Sequence, residues 1–189
     1  MAVTSTMLPL GTKAPVFALP SIDAGTVSMT DFEGARALLV MFLCNHCPYV
    51  KHVEDELARM CADHTAAGLA AVGICSNDAD NYPDDGRDGL ADQASRAHFT
   101  FPYLIDESQD VAKAYGAVCT PDFFLFDADR KLVYRGQMDS TRPRSGDVAT
   151  GQDLRRAIEA VLAGEPVAGD QQPSVGCSIK WKPGNELRS

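Results

Sequence analysis

Apolar positions along the chain fall into two kinds of pattern. Residues 37–43 (Ala-Leu-Leu-Val-Met-Phe-Leu) and 69–75 (Leu-Ala-Ala-Val-Gly-Ile-Cys) are unbroken apolar runs. Such runs, bounded by polar residues, suit strands covered on both faces, as in a parallel sheet. From His46 to Ala66 the period becomes helical. Val50, Val53, Leu57, Met60, Cys61 and His64 share one stripe, while Glu54, Asp55, Glu56, Arg59 and Asp63 point elsewhere. Pro48 falls in the first turn, where its missing N–H costs nothing, and Gly68 supplies a stop. Further helices are predicted near 87–98, over 108–115 before Gly116, and over 152–162 before Gly164. A short strand is expected at 101–105. Residues 122–126 and 131–135 flank Asp127-Ala128-Asp129-Arg130 and make the clearest hairpin. Nearer the start, Asp23-Ala24-Gly25 signals a turn between two short strands, and Thr30 is placed to cap a helical turn ending near Gly34.

The predicted order is β-hairpin, β, α, β, α, β, α, β-hairpin, α. Alternating elements followed by an antiparallel hairpin imply an α/β fold with a mixed central sheet and helices on both faces. No repeat and no linker divides the chain. Residues 1–189 read as one domain, with a core over about 10–163 and an irregular tail over 164–189. The tail holds Cys177 and the only tryptophan, Trp181.

Composition narrows the functional classes. The 189 residues are 45% apolar, enough for one ordinary core. A net charge of -9 without a basic cluster argues against nucleic acid or an anionic membrane as partner. The first residues lack a basic start and a long apolar stretch, and no run approaches bilayer length. The expectation is a soluble cytoplasmic protein. In that compartment six cysteines are catalytic, metal-binding or simply buried rather than a disulfide framework.

Cys44-Asn45-His46-Cys47-Pro48 stands where the first buried strand turns into a helix. The first amides of a helix lack internal partners and its dipole is positive there, so a thiolate is favoured over a thiol. His46, as a cationic spacer, would stabilise the reduced state and make the pair more oxidising. Cys61 on the apolar stripe and Cys75 at the end of a buried strand read as structural thiols. His52 and His64 read as residues of the helix surface or core edge.

A strand, Cys-x-x-Cys at a helix start, a βαβ unit and Thr120-Pro121 before a hairpin together resemble the thioredoxin fold. Ala14-Pro15-x-Phe17-x-Leu19 and Thr30-x-Phe32-x-Gly34 are similar to the alkyl hydroperoxide reductase and thiol-specific antioxidant branch, over roughly residues 10–163. The resemblance implies that Cys44 is the nucleophile and Cys47 resolves the mixed disulfide. It implies a cis Pro121 beside the dithiol, and a Thr120 backbone that pairs with an extended substrate. The function implied is thiol–disulfide exchange with protein or small-molecule thiols and disulfides, fed by an unidentified electron donor. Neither cofactor nor metal is expected. Leu38 replaces the buried acid of thioredoxin, and Asp122 is the candidate stand-in. Peroxiredoxins of the branch carry Thr three residues before their reactive cysteine; aligned on Cys47, that position is Cys44. A peroxidase is therefore one alternative. Another is a copper or zinc chaperone using Cys44, Cys47 and a histidine. Cys119 and Cys177 are expected to approach each other as an accessory pair once the tail folds back.

Overall fold

The computed structural model describes residues 2–23 and 25–186. In chain order the elements are β1 (Ala2–Thr4), β2 (Ala18–Pro20), β3 (Thr26–Ser28), β4 (Ala37–Phe42), α1 (Pro48–Thr65), β5 (Leu69–Cys75), α2 (Arg87–Arg96), β6 (Tyr103–Ile105), α3 (Asp110–Tyr115), β7 (Cys119–Thr120), β8 (Asp122–Phe126), β9 (Leu132–Gly136), α4 (Gln152–Ala163) and β10 (Val175–Ser178).

Five strands form the central sheet in the order β6-β5-β4-β8-β9. β4 runs parallel to β5, and β5 to β6, whereas β8 and β9 are antiparallel. β4 lies in the middle and every residue in it is buried. The pleat deals its side chains to two cores. Leu39, Met41 and Leu43 pack with α1, α2 and α4, while Leu38, Val40 and Phe42 pack with α3, Phe17 and Phe32. Each buried Leu, Val, Met or Phe contributes roughly 1.5–3 kcal/mol. On the α3 side, Phe42, Tyr115 and Phe124 meet edge to face.

Several sequence expectations need correction. α1 begins at Pro48, two residues inside the apolar stripe's expected start. Glu54 does not face solvent: α2 packs over it, and its carboxylate accepts hydrogen bonds from Gln93 Nε2 at 3.2 Å and Arg96 Nε at 3.1 Å. The short helical turn after β3 is closed by Ser28, whose amide donates to Asp31 Oδ2 at 2.7 Å, rather than by Thr30. Ala24, in the expected first turn, lies outside the described residues; the strands on either side pair as predicted.

The larger correction concerns the tail. Residues 175–178 form β10, the middle strand of a second sheet ordered β1-β10-β7. Four residues are too few to show alternation, and the strand is defined by its partners rather than by its own pattern. Ser5 and Ser174 bond reciprocally, Ser5 N to Ser174 O at 2.9 Å and Ser174 N to Ser5 Oγ at 3.0 Å. Beyond the strand, Ile179 N donates to Val118 O at 3.0 Å and Lys180 N to Asn77 Oδ1 at 2.8 Å.

Candidate active site

Cys44 lies just past the end of β4, where Leu43 N still bonds Ile74 O at 2.9 Å. Cys47 is the N-cap residue of α1, followed by Pro48 at the first helical position. The two sulfurs belong to one buried cluster. Thr120 holds both. Its hydroxyl lies 3.1 Å from Cys44 Sγ, and its carbonyl oxygen 3.2 Å from Cys47 Sγ. The Thr120–Pro121 bond is cis, as the resemblance implies. Both cysteines have 0% exposure.

The electrostatics place the anion on Cys47 rather than on Cys44. The Cys44 S–H is the strongest influence lowering Cys47. Burial opposes it, and the Cys177 thiol, the Val50 amide and the Cys177 amide add to it, leaving Cys47 at about 5. The Val50 contact falls short of a capping hydrogen bond, so that amide acts as a nearby first-turn dipole. The Thr120 carbonyl pulls the other way, since it accepts from a Cys47 thiol and repels a thiolate. One carbonyl is outweighed by two thiol donors and two amides. Cys44 is held well above the ordinary thiol range by burial first, then by its bond to Cys47 and the negative charge of Asp85.

Asp85 is the organising group of the loop between the cysteines. Its Oδ1 accepts the amides of Asn45 at 2.8 Å and His46 at 3.1 Å. Its Oδ2 meets His46 Nδ1 at 2.5 Å and Asn77 Nδ2 at 2.8 Å. Burial pushes this carboxyl up, but the bonds from His46 and Asn77 prevail and hold it below the usual range. The His46 ring, 5.3 Å from that of Tyr82 and stacked on it, is therefore turned to Asp85. Because that pair sits beside Cys44, the expected lowering of the Cys44 pKa by His46 is offset by the carboxylate.

β10 covers the dithiol. Cys177 is the register partner of Thr120, and Ser178 that of Cys119. The backbone edge of Thr120, expected to take an extended substrate, is thus already paired with the chain's own tail. Gly176 permits it: a Cβ there would stand 2.1 Å from Thr120 O. Paired residues share a face of a pleated sheet and neighbours alternate, so Cys119 and Cys177 project to opposite sides. Their expected pairing is not made. Cys177, the half-buried cysteine, packs instead against the cluster that holds Cys44 and Cys47.

A family profile matches residues 10–135, that of the AhpC/TSA family. The chain belongs to the AhpC/TSA family. A Mycobacterium tuberculosis protein named as a peroxiredoxin is 32% identical over 113 residues, 60% of this chain and 67% of its own. The thiol–disulfide oxidoreductase ResA of Bacillus cereus is 24% identical over 133 residues, 70% of this chain and 72% of its own. A solved, uncharacterised conserved protein of Geobacillus kaustophilus is 50% identical, covers 97% of each chain and superposes with a TM-score of 0.94. The fold is thioredoxin-like, as in solved thiol–disulfide oxidoreductase domains.

The remaining candidates in this AhpC/TSA protein fall away from the dithiol. Asp122 pairs with Phe42 across the sheet, on the face that belongs to the α3 core. It bonds Arg135 Nη2 at 3.3 Å, both groups fully buried. Cys119 lies on that side too, raised by burial and by Asp122. Cys61, pushed up to about 12 by burial, and Cys75, also raised by burial, are core thiols as expected. His52 bonds Thr141 Oγ1 at 2.8 Å, and His64 Nδ1 lies 2.8 Å from Met60 O. The group of possible metal ligands at the site is Cys44, His46 and Asp85, within 4.8 Å of one another. It contains one thiol rather than the two a copper or zinc chaperone was expected to use, and ligation would cost Asp85 bonds to four donors. Asp85, the Thr120 hydroxyl and Gly176 were not singled out from sequence. Asp85 had a positional signal, in the loop after the carboxyl end of β5; Thr120 lies in β7, just before β8, and Gly176 in β10.

Proposed function

We propose that the protein is a thiol–disulfide oxidoreductase that cycles Cys44 and Cys47 between dithiol and disulfide. The observation that carries this is two cysteine sulfurs held against one residue, Thr120, immediately before a cis proline. The names of relatives such as ResA support the same chemistry.

The thiolate at Cys47 supports roles for the cysteines opposite to those the resemblance implied. The Cys47 thiolate attacks a substrate disulfide and forms a mixed disulfide, releasing the first substrate thiolate. Cys44 then loses its proton and attacks Cys47 Sγ, and the second substrate thiolate leaves. Protons and electrons balance: one substrate disulfide becomes one thiol, protonated by the proton Cys44 gives up, and one thiolate, and one Cys44–Cys47 disulfide forms. The reverse sequence oxidises a dithiol. Burial, the main cause of the high Cys44 pKa, persists, but the part contributed by the Cys47 anion disappears on attack and the Cys44 pKa falls.

The test is disulfide reduction, on a peptide and on a small aromatic disulfide, by wild type, Cys44→Ser and Cys47→Ser. Cys47→Ser is expected to be inactive on both. Activity retained in Cys47→Ser overturns the reading. Peroxide consumption by the same proteins separates exchange from a peroxiredoxin-like activity.

A further inference from the structure

A third cysteine stands beside this pair. Cys177 is the register partner of Thr120, whose carbonyl oxygen lies 3.2 Å from Cys47 Sγ. Cys177 packs against the core cluster that contains both members of the dithiol. Its position is fixed from both ends of β10. Before the strand, Ser174 Oγ bonds Gly136 O at 2.8 Å. Beyond it, Lys180 O accepts Asp78 N at 2.8 Å and Gln109 Nε2 at 2.9 Å. A thiol held this way is built into the site, unlike one on a loose tail that meets it by chance. Cys44 and Cys47 have no exposed surface, whereas Cys177 is half-buried. A bulky thiol from solvent therefore reaches Cys177 before it reaches either sulfur of the pair.

We propose that Cys177 is a third redox thiol, which relays disulfide exchange between solvent and the buried Cys44–Cys47 pair by forming a Cys47–Cys177 disulfide. This rests on the exchange reading above. Starting from the oxidised pair, the Cys177 sulfur attacks Cys47 Sγ. The Cys44–Cys47 bond breaks, Cys44 leaves with the electron pair, and it takes up the proton that Cys177 gives up. No external electron is used in this isomerisation. An external small thiol then attacks Cys177 Sγ, freeing Cys47 as a thiolate. A second equivalent of that thiol attacks the mixed disulfide and leaves with the first as its disulfide. Two external thiols are oxidised, and the Cys47–Cys177 bond is reduced to two thiols.

The experiment uses the full chain and oxidised glutathione. Reduced Cys44→Ser is treated with one equivalent and mapped by mass spectrometry without reductant. The expected product is a Cys47–Cys177 link, released with glutathione, in most chains. The Cys44→Ser, Cys177→Ser double variant is expected to stop at a glutathione adduct on Cys47. A stable Cys47 adduct in Cys44→Ser, with Cys177 still free, overturns the relay. In a second measurement, the oxidised wild type and oxidised Cys177→Ser are reduced by glutathione. The variant is expected to react at least roughly ten-fold more slowly, because an intramolecular step is replaced by bimolecular attack on a buried sulfur. Equal rates overturn the relay. These failures differ from a failure of the exchange reading, in which oxidised wild type shows no Cys44–Cys47 bond to begin with.

Discussion

Cys177 is the register partner of Thr120, the residue whose hydroxyl and carbonyl hold the sulfurs of Cys44 and Cys47. The tail thus occupies the edge at which a substrate strand would add, and it brings a thiol with it. The four residues of β10, far from the dithiol in sequence, lie across it.

Gly176→Ala tests that cover. The new Cβ would meet Thr120 O at 2.1 Å, a backbone atom that has little freedom to move. β10 must shift, at a cost of roughly 1–3 kcal/mol for an overpacked site. Thermal unfolding is expected at a lower temperature, together with faster alkylation of Cys47 by iodoacetamide. Unchanged alkylation would show that the tail does not cover the thiolate.

The pH dependence of exchange follows from Cys47. Its pKa is lowered to about 5, so the nucleophile is charged above that value and protonated below it. Reduction of a small disulfide is expected to be nearly flat from neutral pH down to about pH 6 and to fall as pH drops through about 5. An ordinary thiol would instead lose rate from about pH 8.5 downward. Stopped-flow rates with the small disulfide distinguish these profiles.

Asp85→Asn removes the negative charge beside Cys44 and the ionic acceptor for His46. Burial remains the leading cause of the high Cys44 pKa, so the expected fall is partial. Bonds to a charged group are being lost, and a cost of roughly 1.5–3 kcal/mol is expected. The alkylation pH profile of Cys44 in Cys47→Ser, with and without Asp85→Asn, reads the first effect. Chemical denaturation reads the second.

The buried pair of Asp122 and Arg135 predicts an asymmetry. Burial raises Asp122 to about 6 against the pull of Arg135, so an Asp122 left alone can take a proton. Arg135 cannot shed its charge. Its guanidinium also lies 4.5 Å from the Phe124 ring centroid, and its Nε and Nη1 already lack partners. Asp122→Asn is therefore expected to cost about 3–5 kcal/mol, more than Arg135→Met. A carboxyl whose pKa is raised in the folded state stabilises below its unfolded value and loses that contribution as pH rises through the folded one. Without Arg135 the pKa of Asp122 rises further, so the deficit of Arg135→Met should shrink as pH falls toward about 6 and level off below it. Denaturant titrations at two pH values check both statements.

The layered core was legible because β4 and β5 are long apolar runs and α1 has a clear stripe. Those patterns record burial directly. The cysteine pair and cis Pro121 were legible as a motif. The strand β10 was not, since Val175-Gly176-Cys177-Ser178 has no pattern of its own and becomes a strand through β1 and β7. Glu54 was misplaced for a related reason: helical periodicity puts a charge outside unless a partner from another helix comes to meet it, and Arg96 does. That Cys47 is the N-cap residue of α1 was legible only once the helix was seen to begin at Pro48.

The most direct measurement is a redox titration of the wild-type chain in glutathione buffers, with peptide mapping at each step. A thiolate stabilised in the reduced protein makes its disulfide more oxidising. The expected result is a two-electron couple between Cys44 and Cys47 with a midpoint above the about −270 mV of thioredoxin. If Cys44 and Cys47 both stayed free thiols at every potential, the exchange chemistry assigned to them would be contradicted.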